Sequence, residues 1–183
     1  LRADRQPEFT QIDIEMSFPE LEDIYSLGDR LMKKMLKDAA GFDLSIPTLR
    51  VGYHEAMDKY GCDKPDLRFE LCLHDVTDIC LRSDFSVFKS VIADGGIVKC
   101  INPSADFGRK ELDKLEEFCK RFGAKGMAYM KFVDGLLDSG VSKFFSSELQ
   151  AELISKVGVK DGVVIFMAGE PKMVNDVLSR LRN

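Results

Sequence analysis

Tryptophan is absent from this 183-residue chain, and histidine occurs only twice, at His54 and His74. Two isolated imidazoles exclude a histidine-built metal centre. His54-Glu55 is followed by Ala56, Met57 and Asp58, so the helical His-Glu-x-x-His pattern is missing. Cysteine is sparse and odd in number, at Cys62, Cys72, Cys80, Cys100 and Cys119, with no Cys-x-x-Cys pair. That excludes a disulfide framework and a zinc knuckle and fits a reducing, cytoplasmic compartment. No Walker A or Gly-x-Gly-x-x-Gly loop occurs, and Gly95-Gly96 suits a turn better than a phosphate. No apolar run approaches the ~18 residues of a membrane span. Nor does a signal peptide open the chain, which starts on the polar stretch Leu1-Arg2-Ala3-Asp4-Arg5. An excess of positive charge is lacking too: 26 Lys and Arg stand against 31 Asp and Glu, for a net charge of −5. A protein that coats DNA non-specifically would be basic. Neither DNA nor a membrane is therefore expected as a partner, and any nucleic-acid contact must rest on a local patch.

What is present describes a folded α+β protein. Apolar residues make up 45% and charged residues 31%, enough to fill a core without staples. Residues 8–18 alternate, with Thr10, Ile12, Ile14, Met16 and Phe18 on one face and Gln11, Asp13, Glu15 and Ser17 on the other. Period 2 predicts a strand. A helix is expected over 19–39, with Ser17 and Glu20 at capping-box spacing, Pro19 in its first turn, and an apolar stripe of Leu21, Ile24, Leu27, Leu31, Met35 and Leu36. A short strand is expected around Leu49-Arg50-Val51 and a short helix over 53–60, ended by Gly61. The Asp-Lys-Pro-Asp run within 62–68 reads as an ordered turn and a domain boundary.

Further on, strands are expected at 69–75, 85–93, 97–101, 127–133 and 163–168, with a hairpin turn at Asp94-Gly95-Gly96. Helices are expected at 109–122, from Ser146 or Ser147 to Val157, and from Pro171 onward. From residue 85 the order β-β-α-β-α-β-α predicts a mostly antiparallel or mixed sheet with helices packed on one face.

Three groups could carry chemistry. Cys72 and His74, two apart in an expected strand, could share a face as a thiolate pair, although nothing around them favours a charged sulfur. Lys120, Arg121, Lys125 and Lys131 form a modest basic cluster, suited to helix-end solvation or to phosphate contacts. At the N-terminus Arg2, Arg5, Gln6 and Phe9 offer two guanidiniums, an amide and a ring, a set suited to a nucleotide. Arginine forks match phosphate oxygens, a ring stacks on a base, and an amide reads a base edge.

The string Arg2-Ala3-Asp4-Arg5-Gln6-Pro7-Glu8-Phe9-Thr10-Gln11-Ile12-Asp13-Ile14-Glu15-Met16-Ser17-Phe18 resembles the second half of motif 2 of the class II aminoacyl-tRNA synthetases, most closely the bacterial-type aspartyl-tRNA synthetases. Tyr60-Gly61-Cys62-Asp63-Lys64-Pro65-Asp66-Leu67-Arg68 is similar to that family's Tyr-Gly-Ser-Asp-Lys-Pro-Asp-Leu-Arg, with Cys62 in place of Ser. From about residue 69 the chain resembles the family's inserted GAD domain, including Arg109-Lys110-Glu111-Leu112 and Gly123-Ala124-Lys125-Gly126. The implied organisation is a piece of the antiparallel catalytic sheet over 1–68 and an α+β GAD domain over 69–183.

The resemblance implies roles residue by residue. Arg5, Gln6 and Phe9 would bind ATP, at the terminal phosphates, by an amide contact and by stacking on adenine. Asp13 and Gln11 would shape the aspartate pocket, and Arg2 would approach the acceptor end of tRNA. The implied parent is an aspartate–tRNA ligase using ATP, Mg2+, L-aspartate and tRNA(Asp), a homodimer in the cytoplasm. Motif 1, motif 3 and the first half of motif 2 are not in this sequence. It is therefore expected to be a fragment with no complete catalytic set, no metal ligands of its own and no activity alone. Two alternatives are a non-catalytic tRNA-binding or structural accessory module and an unrelated cysteine enzyme using Cys72 and His74.

Overall fold

A computed structural model describes residues 6–183, which form two compact units divided at Arg50–Val51. The sequence pattern put the division after Arg68. Residues 51–68 instead pack with the second unit, for reasons given below.

In the first unit, α1 spans Leu21–Ala40 and ends at Gly41 in the left-handed conformation. Its capping box is Glu20 with Asp23, whose carboxylate accepts the Glu20 N–H at 3.0 Å, rather than the expected Ser17 with Glu20. The return segment is tied to α1 by polar contacts. Asp29 accepts the Thr48 hydroxyl at 2.6 Å, and Arg50 grips Glu22 with two bonds of 2.7 and 2.9 Å while lying over the Tyr25 ring at 4.2 Å. No residue of α1 is buried.

Two expected strands do not form here. Residues 8–18 and the stretch around Leu49-Arg50-Val51 carry no ladder. A strand needs a hydrogen-bonding neighbour, and the described residues of this unit offer none. The alternation still acts through packing: Ile14 and Met16 join Pro19, Ile24, Leu27 and Leu31 around a groove of about 410 Å³.

The second unit is built on a five-stranded antiparallel sheet in the order β1-β2-β5-β3-β4. Its strands are β1 (His74–Asp75), β2 (Ile97–Ile101), β3 (Ala128–Val133), β4 (Leu136–Asp138) and β5 (Val163–Gly169). The helices are α2 (Tyr53–Tyr60), α3 (Thr77–Arg82), α4 (Ser86–Ala93), α5 (Arg109–Arg121), α6 (Ser147–Val157) and α7 (Pro171–Arg182). β5 is central and buried on both sides. Val164 and Phe166 face a cluster with Ile79, Phe88 and Leu153 from α3, α4 and α6. Val163, Ile165 and Met167 face Leu112, Cys119, Val174, Val177 and Leu178 from α5 and α7. Helices therefore cover both faces, not one. Full burial on both faces also explains why β5 reads as an unbroken apolar run.

The α+β class holds, with local corrections. Residues 85–93, expected as a strand, form α4. The run is rich in β-branched and aromatic side chains, yet Phe85, Phe88 and Ile92 recur at helical spacing and reach the core together. The expected hairpin at 94–96 is instead the helix stop, with Gly95 at φ +82° leading into β2. The true hairpin joins β3 to β4 through Asp134-Gly135, both at positive φ, as a two-residue turn requires. Only His74 and Asp75 of the expected strand 69–75 pair with β2. The helices from Arg109, Ser147 and Pro171 form as expected, and the Ser146 hydroxyl accepts the Leu149 N–H.

Candidate functional site

Of the N-terminal set, Arg2 and Arg5 lie outside the described residues. Gln6, Phe9, Gln11 and Asp13 are all exposed, with Phe9 74% accessible. Residues 6–18 are exposed on both sides of the alternation, and Ile14 and Met16 line the α1 groove. An exposed ring with an amide close behind it in the chain can stack and read an edge, and the alternating carboxylate and amide can accept and donate to a small polar ligand.

The basic cluster separates into committed and free cations. Lys120 pairs with Glu116 at 2.7 Å, one helical turn away. Lys131 pairs with Asp106 at 2.9 Å and donates to the Phe107 carbonyl at 2.9 Å. Arg121 and Lys125 are exposed and take part in no ion pair among the described residues. Lys125 also lines a cleft of about 430 Å³ with Val91, Gly96, Gly169 and Met173.

The Cys72–His74 pair finds no support as a nucleophile. His74 sits on β1 opposite Cys100, and its pKa is lowered first by burial and then by the nearby Lys156 ammonium. Cys80, Cys100 and Cys119 are fully buried. Burial pushes Cys80 up to about 12 and Cys119 to about 11, and raises Cys100 well above the ordinary thiol range. These thiols stay protonated and inert at neutral pH. Among the described residues no three His, Cys, Asp or Glu side chains converge as a metal site.

The segment Tyr60–Arg68 is better organised than a plain linker. Gly61 ends α2 at φ +75° and lies so close to α7 that an added Cβ would meet the Asn175 carbonyl oxygen at 2.3 Å. Lys99 of β2, whose side chain is only 4% accessible, donates to Asp58 at the end of α2. Arg182 of α7 is buried and donates to the carbonyls of Asp66, Phe69 and Leu71. These contacts draw residues 51–68 into the second unit. Nothing in their sequence spacing announced them, because each partner lies far away along the chain.

Comparison with known proteins gives one domain match, inside the second unit, and matches along the whole chain. The GAD domain family matches residues 88–178. Along its whole length the chain is 48% identical to an aspartate–tRNA ligase of Halalkalibacterium halodurans, of which it covers 31%. It is 46% identical to an aspartate–tRNA(Asp/Asn) ligase of Natranaerobius thermophilus, covering 32%, and 45% identical to that of Bacillus subtilis, covering 31%. The chain thus spans about a third of the length of these relatives.

Proposed function

We propose that this chain is a piece of a bacterial-type aspartyl-tRNA synthetase, carrying the GAD domain that it matches over residues 88–178, and that it supplies part of an aspartate-activating site and an accessory unit for tRNA. In the parent reaction the carboxylate of aspartate attacks the α-phosphorus of ATP. Aspartyl-adenylate forms and pyrophosphate leaves. The 3′ hydroxyl of tRNA then takes the aspartyl group and AMP leaves.

Both steps depend on position and charge neutralisation rather than on a protein nucleophile. Phe9 would stack on adenine, Gln6 would contact ATP, and Arg5 would meet the terminal phosphates. Asp13 and Gln11 would orient aspartate, and Arg2 would meet the acceptor end. The carrying observation is the 45–48% identity, along the whole of this chain, with about a third of the length of aspartate–tRNA ligases. The exposure of Gln6, Phe9, Gln11 and Asp13 leaves them open to a ligand.

The 183 residues alone are expected to be inactive. An in-line displacement needs both halves of the phosphate clamp, and a misplacement of about 1 Å can cost about 100-fold. The second unit would act beside tRNA through Arg121 and Lys125.

Aspartate-dependent ATP–pyrophosphate exchange, with magnesium, tests the reading on the full-length parent and on this chain. Exchange by the parent and none by the 183 residues is the expected result. Silence from a folded parent would overturn it and favour a purely structural or tRNA-binding module.

A further inference from the structure

Residues 60–72 form a closed loop. At its neck the Leu73 N–H donates to the Lys59 carbonyl at 2.7 Å. A segment of this length with its ends joined has the build of an Ω-loop, which is usually filled by its own side chains. This one is filled from outside. The guanidinium of Arg182, on α7, enters it and is only 5% accessible. Its Nε donates to the Leu71 carbonyl at 2.7 Å, and one terminal nitrogen donates to the carbonyls of Phe69, at 3.3 Å, and Asp66. The Phe69 ring lies 4.4 Å and the Tyr60 ring 4.9 Å from the guanidinium carbon. The other terminal nitrogen is buried with no partner among the described residues.

Burying a cation without a carboxylate partner is costly, and three carbonyl dipoles and two aromatic faces are what offset it here. Every one of those groups belongs to the loop. The second fixing, Asp58 with Lys99, lies outside the neck, and Gly61 touches only the start of the loop. Among the described residues, Arg182 therefore makes the one set of polar contacts that enters the loop interior from outside, beside the Asp66–Arg68 pair within it.

We propose that Arg182 is the positioning residue that orders residues 60–72 as a single unit, so that the loop opens separately from the sheet when the guanidinium is lost. The inference is independent of the catalytic reading above. Lysine cannot replace arginine in this role. An ammonium is one compact point charge, whereas the planar fork reaches several carbonyls while stacking on two rings.

Hydrogen–deuterium exchange on the full 183-residue chain tests this, comparing Arg182→Met, Arg182→Lys and Phe69→Ala with the parent sequence. In Arg182→Met the amides of 60–72 should exchange at least about tenfold faster, while those of β2, β3 and β5 change by less than about twofold. Arg182→Lys should fail to restore protection. Phe69→Ala, which removes one ring and leaves the cation, should give a smaller acceleration confined to the same residues. Unchanged protection in the loop, rescue by lysine, or equal acceleration in the central strands would each overturn the proposal. Should Arg182→Met fail to fold, Phe69→Ala decides: acceleration confined to 60–72 supports the hub, and none refutes it.

Discussion

The ammonium of Lys99 lies 2.7 Å from Oδ1 of Asp58 and 2.9 Å from the Asp58 carbonyl oxygen, with the lysine side chain 4% accessible and the aspartate side chain 71% accessible. The pair is lopsided: the cation is desolvated and the anion is wet. Removing the anion strands a buried charge, whereas removing the cation releases a hydrated carboxylate. Asp58→Ala should therefore destabilise the second unit by about 2 kcal/mol, and Lys99→Met by less than about 1 kcal/mol. Urea unfolding of both variants reads the order. Equal losses would show that the two groups share the cost of burial evenly.

Asp66 accepts the Arg68 guanidinium Nε–H and backbone N–H, each at 2.9 Å. The guanidinium first, and the backbone donor second, hold its pKa down to about 2. Because the folded value is depressed, the contribution to stability is complete above the ordinary carboxyl value of 3.8 and is lost as pH falls through about 2. A carboxyl NMR titration should place the Asp66 midpoint near 2, and Arg68→Ala should move it up toward 3.8. A midpoint already ordinary in the parent chain would mean that the pair does not persist in solution.

Local signals in the sequence account for much of this fold. Gly61, Ser146, Gly158 and Pro171 mark helix ends by backbone chemistry that acts within a few residues, and each end lies where those residues put it. Residues 8–18 form no strand because alternation specifies two faces but not a pairing partner. α4 departs from the strand its composition suggests, because Val, Phe and Ile favour strands intrinsically and only packing of Phe85, Phe88 and Ile92 against one cluster decides for helix. The hubs were illegible for a different reason. Lys99 and Asp58 are 41 residues apart, and Arg182 lies 111 residues from Leu71. A lysine in a strand or an arginine at a helix end looks like surface until the tertiary fold buries it. The candidate ATP and aspartate residues were legible only through the specific string around motif 2, since exposed side chains leave no periodicity to read.

The five thiols should divide by burial. Cys80, Cys100 and Cys119 are buried with raised pKa values, while Cys62 and Cys72 are partly exposed. Brief iodoacetamide treatment of the native chain at pH 8 should label Cys62 and Cys72 alone, and denaturant should open the other three. Mass spectrometry counts the adducts. Native labelling of Cys100 would show that β2 is not sealed between β1 and β5.

Gly61 serves two demands at once, a left-handed φ of +75° and contact with the α7 backbone. Alanine would meet the Asn175 carbonyl oxygen at 2.3 Å, a group that cannot swing away as a side-chain tip can. Gly61→Ala should cost about 2–3 kcal/mol by adding a strained backbone to an overpacked contact. Gly28, with nothing within 4 Å of an added Cβ and no positive φ, should accept alanine with a slight gain in helix stability. Thermal melts of the two variants provide the contrast, and similar melting points would refute close packing at Gly61.

The basic cluster gives the sharpest test of the accessory role. Lys120 and Lys131 already hold Glu116 and Asp106, and of this cluster Arg121 and Lys125 are the exposed cations with no ion pair among the described residues. A phosphate contact releases condensed counterions, so each one lost should lower the salt slope of binding by a little under one unit. In the full-length parent, replacing Arg121 and Lys125 with alanine should weaken tRNA binding and reduce the slope of log K against log salt by between about 1 and 2. Replacing Lys120 and Lys131 should change the slope by much less, because their ammonium groups are neutralised within the protein. ATP–pyrophosphate exchange, which needs no tRNA, should be unaffected by either pair. A slope untouched by Arg121 and Lys125 would remove tRNA contact from this face and leave the second unit a structural role.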